Sequence, residues 1–233
     1  MSSAESNGFL LIEKPVGPTS FNAIRRIRGI TKVKRVGHAG TLDPFASGLL
    51  IVALGRTFTR QIDMFQALPK QYRVSMVLGM TTDTYDAFGQ LTSQSPVSLS
   101  KELIIKAILS KVGEYHQVPP DFSARRVGGK RLYELARKGI TVEKAATEVH
   151  IYSIAVDAFI DAPHPQVIFT VECSKGTYIR SLVHDIGQEL GVGAYAKDLA
   201  RLKIGEFDVA NAIGYGELSL DTIQKGLFNT AHD

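Results

Sequence analysis

The chain has 233 residues, 44% of them hydrophobic, with a net charge of +4, which suits one large domain or two small ones and excludes global disorder. Its one cysteine, Cys173, excludes an internal disulfide, and no Cys/His cluster has zinc spacing, so a reducing compartment is expected. The apolar run at residues 9–12 ends at Glu13-Lys14-Pro15, too short for a signal peptide or a membrane span, so the chain reads as soluble and cytoplasmic.

In chain order, residues 1–7 are polar and expected to be disordered. Residues 9–12 read as a short buried strand. Lys14-Pro15-Val16-Gly17-Pro18 must be a loop, because two prolines and a glycine defeat helix and ladder alike. Thr19 or Ser20 then caps a helix through Ile30, with Phe21, Ile24 and Ile27 at helical spacing and arginines on the other side. Residues 36–48 form a long irregular segment. Residues 49–54 read as a buried strand and 57–68 as an amphipathic helix. Tyr72, Val74, Met76 and Leu78 alternate with polar positions, as in a strand with one core face. Residues 81–89 are turn-like and 101–112 helical. Residues 118–129, with two prolines and two glycines, read as a mobile loop leading into a short helix near 131–138. Strands near 149–159 and 166–173 follow. A helix over 177–190 carries an apolar stripe of Ile179, Leu182, Val183, Ile186 and Leu190. A last strand ends near Ile204, and a weak helix near 218–225 closes the chain. Strands and helices interleave without strict alternation, which predicts a mixed α+β domain.

Charge is unevenly distributed. Between residues 14 and 42 there is no acid, while Lys14, Arg25, Arg26, Arg28, Lys32, Lys34 and Arg35 are basic. A second cluster, Arg125, Arg126, Lys130, Arg131, Arg137 and Lys138, is interrupted only by Glu134. Two such patches suit a polyanion, because each phosphate contact releases counterions; a solvated basic face is the plainer alternative.

The segment most suited to chemistry is Val36-Gly37-His38-Ala39-Gly40-Thr41-Leu42-Asp43-Pro44-Phe45-Ala46-Ser47-Gly48. It is a glycine-rich loop that also carries Leu42 and Phe45, so it should pack inward in one fixed shape and let another chain approach its backbone. Asp43 before proline is biased to extended backbone that projects its carboxylate; the competing role is to cap a turn. His38 is either a loop hydrogen-bonder or a site residue. Thr82-Asp83-Thr84-Tyr85-Asp86 offers too few ligands for a metal and reads as turn capping. Cys173-Ser174-Lys175-Gly176-Thr177 lacks the spacing of a phosphate loop. Arg180, in the first turn of its helix, opposes the macrodipole, so an anion is expected beside it.

Gly37-His38-Ala39-Gly40-Thr41-Leu42-Asp43-Pro44, followed by Ala46-Ser47-Gly48, resembles the catalytic signature of the TruB family of tRNA pseudouridine synthases. Four further segments match in order and spacing: the Lys-Pro-x-Gly motif at Lys14-Pro15-Val16-Gly17, the tyrosine strand at Lys70-Gln71-Tyr72-Arg73-Val74, the acidic turn at Thr82-Asp83-Thr84-x-Asp86-x-x-Gly89, and the arginine motif at Cys173-Ser174-Lys175-Gly176-Thr177-Tyr178-Ile179-Arg180-Ser181. The resemblance implies a pseudouridine synthase fold over residues 8–215: a largely antiparallel mixed sheet with helices and an RNA-gripping insertion at 118–139. It implies isomerisation of uridine to pseudouridine at position 55 in the T-loop of tRNA, without a cofactor or metal. Asp43 would be the essential carboxylate, as nucleophile or as base. Arg180 would pair with it and keep it ionised and oriented. Tyr72 would stack on the flipped uracil, His38 would hold the RNA open, Leu199 would line the pocket, and Asp86 would join the surrounding polar network. Arg125, Arg126, Lys130 and Arg131 would grip phosphates of the T-arm.

Two features depart from the pattern. Ala39 stands where many relatives have threonine. Residues 216–233 form a short tail, where many bacterial relatives carry a PUA-type RNA-binding domain. The expected protein is a monomer without an obligate protein partner. Three alternatives compete: a non-catalytic RNA-binding or tRNA-chaperone protein on the same scaffold, a glycosidase-like hydrolase, which would need two facing carboxylates, and a longer RNA-guided synthase.

Overall fold

The structure, a computed structural model, describes residues 6–123, 125–127, 129–132, 135, 139–140 and 142–229. Its elements in chain order are β1 (Gly8–Lys14), α1 (Ser20–Thr31), β2 (Val36–His38), β3 (Ser47–Leu54), α2 (Arg56–Thr59), α3 (Ile62–Ala67), β4 (Lys70–Leu78), β5 (Met80–Thr82), β6 (Leu91–Gln94), α4 (Lys101–Leu109) and β7 (Gly113–Gln117). There follow β8 (Arg126–Val127), β9 (Lys130–Arg131), β10 (Thr147–Ile160), β11 (Gln166–Cys173), α5 (Ile179–Glu189), β12 (Ala194–Ile204), β13 (Phe207–Asp208), β14 (Ile213–Gly214) and α6 (Leu220–Gly226). The expected α+β class is borne out, with a large and mostly antiparallel sheet.

The chain divides into two compact units, residues 1–71 with 200–233, and residues 72–199. In the first unit the strand order is β14-β1-β3-β12, with β2 on β3 and β13 on β12. β1 and β3 pair antiparallel from Gly8↔Leu54 to Lys14↔Gly48. Because side chains alternate along a strand, Leu10, Ile12, Leu50, Val52 and Leu54 face Ala23, Ile24 and Ile27 of α1. Phe9, Leu49, Ile51 and Ala53 pack on the other side with Phe65, Ile204 and Phe207. Thr19 is the cap of α1: its Oγ1 accepts from Asn22 N at 3.1 Å, while Asn22 Oδ1 accepts from Thr19 N at 2.9 Å.

The helix expected over 57–68 is two short ones. The Thr59 hydroxyl donates to Arg56 O, competing with the helical ladder, and three-residue turns link the pieces: Gln61 N to Phe58 O at 3.0 Å and Met64 N to Gln61 O at 3.2 Å. Lys70 Nζ then donates to Gln66 O and Leu68 O at 2.5 and 2.6 Å, serving orphan carbonyls at the end of α3. Ser6 of the polar N-terminus is buried, and residues 1–5 lie outside the described residues. The C-terminal segment packs into the same unit: Leu218 and Ile223 join the α1-side core, and Phe228 and Phe9 exchange backbone bonds at 2.8 and 3.0 Å.

In the second unit the order is β12-β4-β11-β10-β7, with separate hairpins β5–β6 and β8–β9. β4 differs from its one-sided reading: Ser75 and Val77 are buried as well as Val74, Met76 and Leu78, and Ser75 Oγ accepts from Gln166 Nε2 at 2.6 Å. α5 begins at Ile179, two residues later than its sequence pattern. The Gln117 amide on β7 fixes that start, accepting from Tyr178 N at 2.7 Å and donating to Tyr178 O at 2.9 Å. Within residues 118–139 the expected loop contains the β8–β9 hairpin, pairing Arg126 with Arg131 and Val127 with Lys130. Of the helix expected near 131–138, residues 133, 134 and 136–138 lie outside the described residues.

Candidate active site

In the first unit, residues 39–46 link β2 to β3 as a loop anchored along its whole length. Ala39, Leu42, Phe45 and Ala46 are buried, as the apolar residues in this polar segment led us to expect. Ala39 N donates to Ile51 O at 2.9 Å. Leu42 N donates to Ser20 Oγ at 2.8 Å, and that hydroxyl donates back to Leu42 O at 3.1 Å. On the other side of Asp43, Gly17 N donates to Pro44 O at 2.7 Å. Asp43 itself is half-buried. It does head a turn, but through its backbone, with Ala46 N donating to Asp43 O at 3.1 Å and Pro44 at the second turn position. Turn formation and a side-chain role are therefore compatible at this residue.

Arg201 reaches the loop from β12 with 1% of its surface exposed. Its Nε donates to Leu49 O at 2.8 Å and its Nη2 to Gly40 O at 3.2 Å, so one guanidinium bridges the two ends of the segment that carries Asp43. β12 approaches β3 so closely that a side chain on Gly48 would lie 2.2 Å from Arg201 O, and Gly48 has φ +105°. Lys14 is fully buried, with Nζ donating to Pro15 O and Pro18 O at 2.7 and 2.9 Å. Burial pulls its pKa down to about 8; the Asp43 charge opposes that shift and the Arg201 charge adds to it. Burial also lowers the His38 pKa, with Arg201 adding to the shift and a backbone hydrogen bond at Gly40 opposing it. Burial and the Arg201 charge both favour the uncharged ring.

In the second unit Arg180 is 3% exposed. Its Nη1 donates to Thr84 O and its Nη2 to Phe122 O, each at 2.8 Å, and Nη1 lies 3.4 Å from Asp86 Oδ2. Asp86 is thus an anion beside the cation at the start of α5. Asp86 Oδ1 accepts from Thr84 Oγ1 at 2.8 Å and from Phe88 N at 2.9 Å. Tyr85, between the two groups that face Arg180, has φ +63° and stacks on His184 with centroids 3.8 Å apart. Tyr72 is half-buried on β4 and Leu199 is 7% exposed on β12, neighbouring strands in this unit. Arg125 is exposed, with Nη1 donating to Thr147 Oγ1. Arg126, Lys130 and Arg131 lie on the β8–β9 hairpin. The structure thus brings Arg180 and Asp86 together and puts His38 and Asp43 on one connection.

Residues 28–179 match the family model for the TruB family pseudouridylate synthase (N terminal domain). The chain belongs to the TruB family. It is 43% identical over 206 residues to tRNA pseudouridine synthase B of Chlamydia felis, covering 88% of this chain and 86% of that one. It is 44% identical over 223 residues to tRNA pseudouridine synthase B of Clostridium acetobutylicum, covering 96% and 76%. Among solved structures it is similar to a chain of a Cbf5-Nop10-Gar1 complex, with TM-score 0.71 and 26% identity, covering 96% of this chain and 60% of that chain. A chain of an H/ACA RNP bound to a substrate RNA containing 2'-deoxyuridine gives TM-score 0.66 and 28% identity, covering 92% and 53%. The chain therefore spans just over half the length of these two structural neighbours.

Sequence reading missed Arg201, Ser20 and Gln117, whose side chains hold the backbone around the candidate residues. Arg201 sits in Leu199-Ala200-Arg201-Leu202, where an arginine between apolar positions of a strand is the available signal of burial. From sequence Ser20 reads only as a candidate helix cap. Nothing local marks Gln117, whose partners are about sixty residues away.

Proposed function

We propose that the protein isomerises uridine to pseudouridine in tRNA, at position 55 of the T-loop, with Asp43 as the reacting carboxylate and no cofactor. The observation that carries this reading is the loop of Asp43, fixed by Ser20, Gly17 and Arg201 within a TruB-family chain. The reaction breaks an N-glycosidic bond, turns the uracil and rejoins it through carbon. A single positioned carboxylate suits it, since no redox or phosphoryl step occurs. Asp43 supplies that group, and Arg180, already ordered by Asp86 and Thr84, acts toward it as the orienting cation. Tyr72 serves as the stacking platform for the extruded base. His38 holds the neighbouring RNA, and Leu199 lines the uracil pocket. Arg125, Arg126, Lys130 and Arg131 contact T-arm phosphates.

We further infer that the enzyme works as a monomer, with no protein partner, in the cytoplasm. No helix among the described residues is long and apolar enough to cross a membrane, and Cys173, the one cysteine, is buried.

The test is incubation of purified protein alone with an unmodified tRNA transcript, followed by mapping of pseudouridine. Conversion is expected at the T-loop uridine, with none from Asp43→Asn, while tRNA binding persists because the phosphate contacts lie elsewhere. Ordinary turnover by Asp43→Asn would remove Asp43 from the chemistry, and modification confined to another position would overturn the assigned site.

A further inference from the structure

The exposed face of α1 carries Phe21, Arg25 and Gly29, followed by Lys32 at the helix end. The opposite face, Ser20, Ala23, Ile24 and Ile27, is buried. Phe21 is 55% exposed, and the Arg25 guanidinium lies over its ring, 5.4 Å from the centroid. Two positions run against what the fold alone favours. Gly29 lies inside the helix, where glycine is a poor former, yet a side chain there would meet nothing within 4 Å. Lys32 closes the helix at φ +59°, the left-handed conformation that glycine adopts without strain. Arg28 already places a cation in the last turn, so the helix dipole does not require Lys32. The smallest residue stands where no neighbour demands it, and a strained lysine stands where glycine would serve the backbone better. Such a pattern points to a ligand.

The same helix abuts the catalytic loop, through the bonds between Ser20 and Leu42. Among the described residues Arg25, Lys32, Lys34 and Arg35 enter no ion pair, and between residues 14 and 42 no acid offsets them. We propose that this face is a second RNA-binding track. Phe21 takes an unstacked base, Arg25 and Lys32 take phosphates, and the RNA backbone crosses close to the helix at Gly29. The track rests on the reading of the protein as a tRNA enzyme. Aromatic stacking next to a guanidinium suits single-stranded RNA emerging from the loop that holds Asp43. Positive charge without acids complements phosphate.

The test is equilibrium binding of an unmodified tRNA transcript to the full chain and to four variants, each with its melting temperature. Phe21→Ala is expected to bind about tenfold more weakly, the loss of one stacked base. Gly29→Ala is expected to melt higher than the parent, and Lys32→Gly no lower, because each suits the helix better. Both are nevertheless expected to lose about threefold or more in affinity, as one fills the gap and the other removes a phosphate contact. A merely structural role would not make binding fall while stability holds or rises. Arg25→Ala is expected to flatten the salt dependence of log Kd by about one unit. Affinity within twofold of the parent for any of the first three variants would overturn the track, leaving this face to solvent or to a protein. Normal pseudouridine formation beside such a result would show that the track alone has failed. A parent protein that neither binds nor converts tRNA would instead sink the reading beneath it.

Discussion

Arg201 places a buried permanent charge next to a segment that also holds Lys14 and His38, and lowers the pKa of both. Its two carbonyl acceptors stand before and after Asp43 in the chain, so it sets where the carboxylate sits. Arg201→Met keeps the apolar stem and removes the donors. Its kcat is expected to fall about tenfold or more, because a small displacement of a reacting group is costly, and Arg201→Lys should recover only part. The His38 titration followed by NMR should move up in Arg201→Met and stay near that of the parent in Arg201→Lys, which keeps the charge; equal movement in both variants would trace the shift to packing and contradict the electrostatic account. Lys14 allows a separate test. With its folded pKa at about 8 and a reference value of 10.5, the unfolded chain carries a proton across that window that the folded chain lacks. Stability should therefore rise with pH between those values. Lys14→Met should flatten that rise, and denaturation midpoints measured from pH 7 to 10 decide it.

At the scale of elements, the loop can hold its shape because β3 is clamped by β1 on one side and by β12 on the other. Gly48 is where β3 and β12 touch, in a left-handed conformation with Arg201 O in the space a side chain would need. Gly48→Ala is expected to destabilise by about 3 kcal/mol or more, combining backbone strain with a backbone clash. A thermal melt that stays within a degree or two of the parent would show that β12 can retreat at little cost. The strands were the most legible elements: apolar runs at 9–12 and 49–54 and the strand at 166–173 lie where their patterns put them. Helix ends were less so. The start of α5 depends on the side chain of Gln117, and the division of the 57–68 helix on a threonine hydroxyl. Local propensity does not encode such long-range or competing hydrogen bonds.

For the whole molecule, the modest net charge conceals two basic regions, which should make tRNA binding salt-dependent. Neutralising Arg125 and Arg131 together is expected to lower the slope of log Kd against log salt by about two units, without moving the modified uridine. An unchanged slope would remove the 118–139 segment from the phosphate contacts. Isomerisation needs no redox or phosphoryl chemistry, and no group of three or more potential metal ligands occurs among the described residues. Conversion of pre-folded tRNA should therefore survive EDTA and dialysis. Loss of turnover under conditions where the RNA remains folded would require a metal.

The sequence by itself determined the candidate site residues, their order and the family, because the glycine-framed Asp43 loop and the four matching segments are local patterns. It also determined the α+β class, because strand and helix periodicities are read within a few residues. Only the tertiary structure decided what stands behind those residues. Asp86 beside Arg180, Ser20 on the Leu42 backbone, and Arg201 across Gly40 and Leu49 all join positions far apart in the chain. Tertiary structure also made β4 two-sided and gave the C-terminal segment a place in the core. Burial and hydrogen-bond pairing are properties of what lies across a contact, and a linear pattern does not specify that neighbour.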